Sequence, residues 1–78
     1  ITNTSFHKIN VGIIGFGPVG LSCALSFKGA NSHVYVYDKN HSKKTLAEKH
    51  GVHFIEKEQL LKKCDLIITC TGRSAVIN

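Results

Sequence analysis

The sequence predicts an α/β fold built on a parallel β-sheet, and two features of its 78 residues indicate this. Short apolar runs of strand length alternate with longer stretches whose apolar residues have helical spacing. The first run, Ile9–Ile14, is mostly apolar rather than alternating, as in strands that are buried on both faces of a sheet. Each connection between successive strands is long enough for a helical crossover, which parallel strands require.

The pattern predicts strands at residues 9–14, 33–37, 52–55 and 66–70, and helices at residues 18–28, 43–50 and 56–64. Pro18 suits the first turn of a helix, where its missing N–H costs nothing. Ser42 is a candidate cap for the second helix, and Gly51 is a candidate end signal for it. In the third helix, Leu60 and Leu61 are expected to face the core. Residues 71–74 are expected to form the loop after the fourth strand.

Residues 15–20 read GFGPVG, a GxGxxG spacing that directly follows the first strand and opens the first helix. In that context each glycine has a physical role: Gly15 permits a tight turn, Gly17 lets a pyrophosphate approach the backbone, and Gly20 lets the helix pack closely on the strand. A P-loop is excluded because no GK[ST] follows. A methyltransferase loop fits poorly because Ile13 and Ile14, not an acid, precede the glycines.

Backbone amides at the start of a helix bind phosphate, helped by the positive end of the helix dipole. Pro18 removes one amide from this set. The sequence therefore predicts that the amides of Phe16, Gly17 and Val19 remain to hold phosphate.

An acid, Asp38, ends the second strand 18 residues after Gly20. An acid near this distance accepts hydrogen bonds from the adenosine ribose hydroxyls of a dinucleotide and repels a 2′-phosphate. The acid favours NAD over NADP, although Lys39, with the nearby Lys43 and Lys44, could neutralise a 2′-phosphate. We include Lys39 with Asp38 among the expected cofactor-binding residues.

The fourth strand is expected next to the first, which gives strand order 3-2-1-4 and a partial doubly wound Rossmann fold. Ligands of such sheets bind where the strand order reverses. Cys70, Thr71 and Gly72, at the exit of the fourth strand, are therefore expected to face the pyrophosphate or the nicotinamide ribose.

Three segments, GFGPVGLSCA, YVYD and LIITCTGRSAVI, together resemble the NAD-binding domain of the adenosylhomocysteinase family. That family carries a GYGxVGxGCA-like loop and a strand-four exit of the form VTTTG, and related hydroxyacid dehydrogenases share much of this pattern. The resemblance covers about residues 10–78. It implies a cofactor domain whose parent enzyme would use bound NAD to oxidise a ribose hydroxyl transiently and then eliminate homocysteine.

The competing class is a nucleotide-sensing regulatory domain of a channel or transporter. Such domains usually place a Gly-Asp pair after the third strand, where this chain has Glu56-Lys57. That difference favours the cofactor domain of an oxidoreductase-type enzyme. The piece itself is expected to carry no catalytic residues, because nothing pairs a histidine with a carboxylate beside the glycine loop.

Composition limits the remaining possibilities. With 42% apolar and 19% charged residues the chain is globular rather than disordered, and no apolar run is long enough for a membrane span. The net charge of +5 is spread along the chain, which indicates a solvated surface rather than a nucleic-acid partner. The odd number of cysteines, three, predicts reduced thiols in a cytoplasmic setting. The five histidines lack the spacing of a metal site.

The domain organisation is expected to be a lead-in at residues 1–8 followed by one dinucleotide-binding domain at residues 9–78, cut from a longer protein. A parallel sheet needs helices on both faces, and here only the third helix is available for one of them. The last strand is also expected to leave an apolar edge. We therefore expect the remainder of the parent protein, or a second copy in a homo-oligomer, to cover these surfaces.

Overall fold

A computed structural model describes residues 9–30, 32–71 and 74–75 of the chain. In chain order the elements are β1 (Asn10–Ile14), α1 (Pro18–Gly29), β2 (His33–Tyr37), α2 (Lys43–Lys49), β3 (His53–Phe54), α3 (Lys57–Lys63), β4 (Leu66–Thr71) and β5 (Ser74–Ala75). The lead-in predicted at residues 1–8 lies outside the described residues and stays a prediction. No helix in the described part of the chain has both the length and the apolar character to cross a membrane.

The sheet confirms the predicted architecture, with parallel strands in the order β3-β2-β1-β4. The central strand β1 pairs with β2 from Asn10↔His33 to Ile14↔Tyr37. On its other side β1 pairs with β4 from Val11↔Leu66 to Ile14↔Thr69. These registers bring the carboxyl ends of β1, β2 and β4 to one edge of the sheet.

A two-residue strand that the sequence did not predict follows β4. β5 pairs antiparallel with the end of β4, through Cys70↔Ala75 and Thr71↔Ser74. The predicted exit loop at residues 71–74 was therefore too long, since Thr71 belongs to β4 and Ser74 to β5. The expected bare edge of β4 is shortened in the same way, because β5 covers its last two residues.

The two faces of the sheet carry different helices, as the sequence predicts. Side chains from alternate positions of β1 and β2 pack with α1 and α2 in one core, with Phe16 fully buried among them. The members of this core are Val11, Ile13, Phe16, Ala24, Val34, Val36, Ala47, Val52 and Cys70. The opposite face is covered by α3, whose Lys63 ammonium lies 4.8 Å from the centre of the Tyr35 ring.

Close packing of α3 on β1 depends on Gly12. A Cβ atom at Gly12 would lie 2.5 Å from Cδ2 of Leu60 and 2.8 Å from Sγ of Cys64, too close for real contacts. Leu60 is fully buried as a result. The prediction that Leu61 also faces inward is wrong, since it is 48% exposed. Because Gly12 leaves this space, α3 packs on the sheet through Leu60. Leu61, about 100° further around the helix, faces solvent.

The ends of α2 differ in part from the sequence-based assignment. Ser42 precedes α2 but makes no side-chain cap; its hydroxyl donates a 2.7 Å hydrogen bond to Oδ1 of Asn40 instead. The reason is its helical backbone, φ −67° and ψ −15°, whereas a capping residue is usually extended. Gly51 ends the helix as expected, with φ +71°. The ammonium of Lys28 donates to the carbonyl of His50 at 2.8 Å, which ties α1 to the end of α2.

The amino end of the sheet is held by hydrogen bonds between Asn10 and the residues before β4. The Asn10 N–H donates to the Asp65 carboxylate at 2.9 Å, and the Asp65 N–H donates to the Asn10 carbonyl at 2.8 Å. The Asn10 side-chain amide donates to the Lys63 carbonyl at 3.1 Å. These bonds join β1, β4 and the end of α3.

We predict that Gly12→Ala destabilises the domain by about 1–3 kcal/mol, because the added methyl group overpacks the contact with Leu60 and Cys64. Gly29→Ala is the matched control: a Cβ there meets no atom within 4 Å, and alanine in a helix gains up to about 1 kcal/mol over glycine. Urea unfolding of both variants measures the difference. Equal stability of the two variants would contradict the packing role of Gly12.

Candidate functional site

The carboxyl ends of β1 and β2 meet in a tight turn. Ile14 lies opposite Tyr37, and the N–H of the following residue, Gly15, donates to the Tyr37 carbonyl at 2.8 Å. Gly15 then takes φ +99°, a conformation that residues with a side chain rarely adopt. The chain thereby leaves the strand and enters α1 within three residues.

The three glycines of the GxGxxG segment are required for different reasons. A Cβ at Gly15 would overlap the Cys70 carbonyl, and a Cβ at Gly20 would overlap the Gly15 carbonyl. Both positions must therefore be glycine for the turn and the helix to fit against the sheet. A Cβ at Gly17 would meet no atom within 4 Å, and its φ of −91° suits any residue. The fold does not require a glycine at position 17, and the space beside it is open.

The Asp38 carboxylate connects the glycine loop to the end of β2. One oxygen accepts the Phe16 N–H at 2.8 Å, and the other accepts the Asn40 N–H at 2.8 Å. The expectation that the Phe16 amide is free for phosphate is therefore corrected, because the β1–β2 register places Asp38 beside it. A carboxylate has about four acceptor positions, so these two bonds leave capacity for other donors.

The first turn of α1 supplies further donors to the same edge. A helix offers no internal acceptors for the N–H groups of its first turn, which here are those of Gly17, Val19 and Gly20. Pro18 has no N–H, as noted from the sequence, and the first turn holds no acidic residue that would oppose an anion. Val19 and Pro18 are exposed, whereas Gly20 is buried against the turn.

The exit of β4 fits the sequence-based expectation only in part. The Cys70 side chain is buried in the core below α1, so it does not face the crevice; only its carbonyl borders the site, beside Gly15. Burial raises the pKa of the Cys70 thiol, and the neighbouring Cys23 raises it further. Thr71 ends β4 at the same edge as Asp38. Gly72 lies outside the described residues.

Beyond Asp38, the loop into α2 carries an exposed Lys39 and His41, and the His41 ring contacts Tyr37 of β2 and Phe54 of β3. The sequence did not predict this aromatic group. Tyr37, His41 and Phe54 have ring centres 6.0–6.3 Å apart. The sequence signal for this group is that His41 follows the acid by three residues. Among the described residues, no group of three His, Cys, Asp or Glu side chains could hold a metal ion.

Taken together, one sheet edge presents helix amides without a partner inside the helix, an open approach at Gly17, and a carboxylate fixed 2.8 Å from the loop amide of Phe16. Amides complement phosphate, and a carboxylate complements sugar hydroxyls. These groups fit a ligand that carries both, as a dinucleotide does.

Comparison with known proteins agrees with this geometry. The profile of the family described as D-isomer specific 2-hydroxyacid dehydrogenase, NAD binding domain, matches residues 1–75. A 2-hydroxyacid dehydrogenase homolog 2 from Schizosaccharomyces pombe is 42% identical over 62 residues, which are 78% of this chain and 18% of that protein.

Two adenosylhomocysteinases are also similar to the chain, which confirms the resemblance found in the sequence. Those of Plasmodium chabaudi chabaudi and Plasmodium yoelii yoelii are 34% and 36% identical over 65 residues, in each case 83% of this chain and 14% of the relative. The chain thus spans less than a fifth of the length of these relatives. The alternative of a channel or transporter sensor domain is not supported. The chain belongs to the family of NAD-binding domains of D-isomer specific 2-hydroxyacid dehydrogenases.

Proposed function

We propose that this domain binds NAD in preference to NADP and serves as the cofactor-binding part of an oxidoreductase. The observation that carries the proposal is the position of Asp38, whose carboxylate is fixed beside the glycine loop with acceptor capacity left over. When bound, the nicotinamide ring would accept or donate a hydride. The residues of this chain would bind and orient the cofactor.

The proposed contacts follow the geometry of the sheet edge. The amides of Gly17 and Val19 hold the pyrophosphate, and the missing side chain at Gly17 lets it approach. The Asp38 carboxylate accepts the adenosine ribose hydroxyls. Thr71, at the end of β4, lies on the side of the nicotinamide ribose, and we propose a contact with the same ribose for Gly72, which follows it in sequence.

The preference for NAD rests on charge. The ribose 2′-phosphate of NADP would lie against the Asp38 carboxylate, and two anions at hydrogen-bond distance repel each other strongly at a partly buried site. Lys39 is exposed and can move toward a phosphate, but it lies in high-dielectric solvent, where its attraction is weak.

The parent protein is proposed to be a cytoplasmic enzyme that acts on a 2-hydroxyacid. The three free cysteines, Cys23, Cys64 and Cys70, support a reducing compartment. The similarity to adenosylhomocysteinases supports a second candidate, an enzyme of one-carbon metabolism that oxidises a ribose hydroxyl transiently. In both cases the acid–base groups come from the rest of the protein.

Asp38→Ala is expected to weaken NADH binding by about 1–3 kcal/mol, because hydrogen bonds to a charged group are lost. Asp38→Asn keeps one acceptor oxygen but removes the charge, so it should narrow the difference between NADH and NADPH. Calorimetric titration of both cofactors measures this, with circular dichroism as the control for folding. Unchanged selectivity in Asp38→Asn would contradict the assignment.

Gly17→Val should abolish NADH binding and leave the melting temperature nearly unchanged, since the added side chain meets only open space in the fold. Gly20→Val is the matched variant: it should lose at least about 1–3 kcal/mol of stability, because its Cβ overlaps a backbone carbonyl. Thermal melts and NADH titrations separate the two effects. NADH binding by Gly17→Val at wild-type affinity would show that the loop does not hold phosphate.

The 78-residue chain on its own is predicted to self-associate at tens of micromolar. Leu61, Leu66 and Ile67 are 37–48% exposed on α3 and β4, and β5 covers only the end of the β4 edge. Exposed apolar surface beside an open strand edge promotes association. Light scattering tests this, and Leu61→Lys should shift the equilibrium toward monomer. A stable monomer with a cooperative melt would contradict the prediction.

A further inference from the structure

An aromatic shelf, defined by Tyr37, His41 and Phe54, lies beside the Asp38 carboxylate. The His41 ring is 6.3 Å from Tyr37 and 6.0 Å from Phe54, and its plane stands at 75° to each of them. Tyr37 and Phe54 are half-buried and 6.0 Å apart, so they form a base on which His41, the exposed member, is supported.

The loop holds His41 firmly although its side chain is exposed. On one side, the Asn40 N–H donates to the Asp38 carboxylate at 2.8 Å. On the other side, the Ser42 N–H and hydroxyl both donate to Oδ1 of Asn40, at 3.1 and 2.7 Å. The His41 carbonyl accepts the Lys44 N–H at 3.1 Å. These bonds fix the backbone on both sides of His41, and the contacts with Tyr37 and Phe54 restrain its ring, so the side chain loses less entropy when a ligand packs on it.

Neither Tyr37 nor Phe54 lies parallel to the imidazole of His41, so neither covers a face of that ring as a stacked base would. The fixed loop also keeps His41 close to the Asp38 carboxylate, because Asp38 precedes it by only three residues. A flat heteroaromatic ring joined to a sugar whose hydroxyls bind Asp38 would lie within reach of the shelf.

We propose that His41 is an affinity-determining residue that stacks on the adenine ring of the bound cofactor, supported from behind by Tyr37 and Phe54. This inference rests on the proposed binding of NAD at the same site and assigns its adenine end. Stacking requires the flat ring of His41 and not its hydrogen-bonding nitrogens. Tyr37 and Phe54 act through His41 as positioning residues.

The test compares three ligands on the intact protein by calorimetric titration: NADH, ADP-ribose, and reduced nicotinamide mononucleotide, which lacks the adenosine. Base–aromatic stacking is worth about 1–3 kcal/mol, so His41→Ala should weaken NADH and ADP-ribose about 5- to 150-fold. The affinity for the mononucleotide should not change. His41→Phe should restore binding of the two adenine ligands.

The matched control is His53→Ala. His53 is also an exposed histidine in contact with a tyrosine, but its partner is Tyr35, on the α3 face of the sheet, with ring centres 5.3 Å apart. This control variant should bind all three ligands like wild type. Wild-type affinity of His41→Ala for ADP-ribose would overturn the inference, as would failure of His41→Phe to restore it, because a polar role of the imidazole would then explain the loss. If wild type binds neither NADH nor ADP-ribose, the proposed function itself fails.

Discussion

The hydrogen bond from the Phe16 N–H to the Asp38 carboxylate is the contact on which the arrangement of the site depends. It exists because β1 and β2 pair in a register that ends at Ile14↔Tyr37, so that the two strands exit side by side. The same carboxylate also fixes the loop into α2 through Asn40. One edge of the parallel sheet thus determines where the glycine turn, the acid and the aromatic shelf lie relative to one another.

Within the short GxGxxG segment, two glycines are required by the fold and one is left open for a ligand. Gly15 and Gly20 are needed by the protein itself, because each Cβ would overlap a backbone carbonyl. Gly17 is not, because a Cβ there would meet no atom within 4 Å, and such open space is what a ligand-facing position requires. Gly12, outside the motif, serves only packing, since it lets Leu60 of α3 reach the sheet. Residue type alone does not separate these roles; the surroundings of each missing Cβ do.

The sequence was sufficient for the parts of the fold that are set by short-range pattern. The strand order, the faces covered by the helices, and the turn at Gly15 follow from apolar periodicity and from the crossover rule for parallel strands. It was insufficient where one contact decides between near-equal alternatives. Leu60 and Leu61 are both apolar, and only the gap above Gly12 determines which one is buried. Ser42 has the residue type of a helix cap, but its hydroxyl donates to the Asn40 side chain instead of accepting a helix amide.

For the candidate site, too, the sequence was sufficient for some features and insufficient for others. The glycine spacing and the distance to Asp38 predicted that the glycine turn and the acid lie at one sheet edge, because both follow from the order β1, α1, β2 in the chain. The direction of Cys70 could not be read in this way: a strand presents alternate residues to opposite faces, and the register with β1 places Cys70 in the core with Ile13 and Ile68. The aromatic shelf was missed because its members come from β2, β3 and the loop between β2 and α2, which meet only after the sheet has formed.

The hydrogen bonds between Asn10 and Asp65 also bear on how the domain is made. They join residues 55 positions apart, and they close the side of β1 that β2 leaves unpaired. During synthesis the central strand therefore has only one neighbour until β4 has left the ribosome. Contacts of such long sequence separation slow folding, because the intervening chain must first be brought together. Of the five described strands, the one at the centre of the sheet is synthesised first and is among the last to be enclosed.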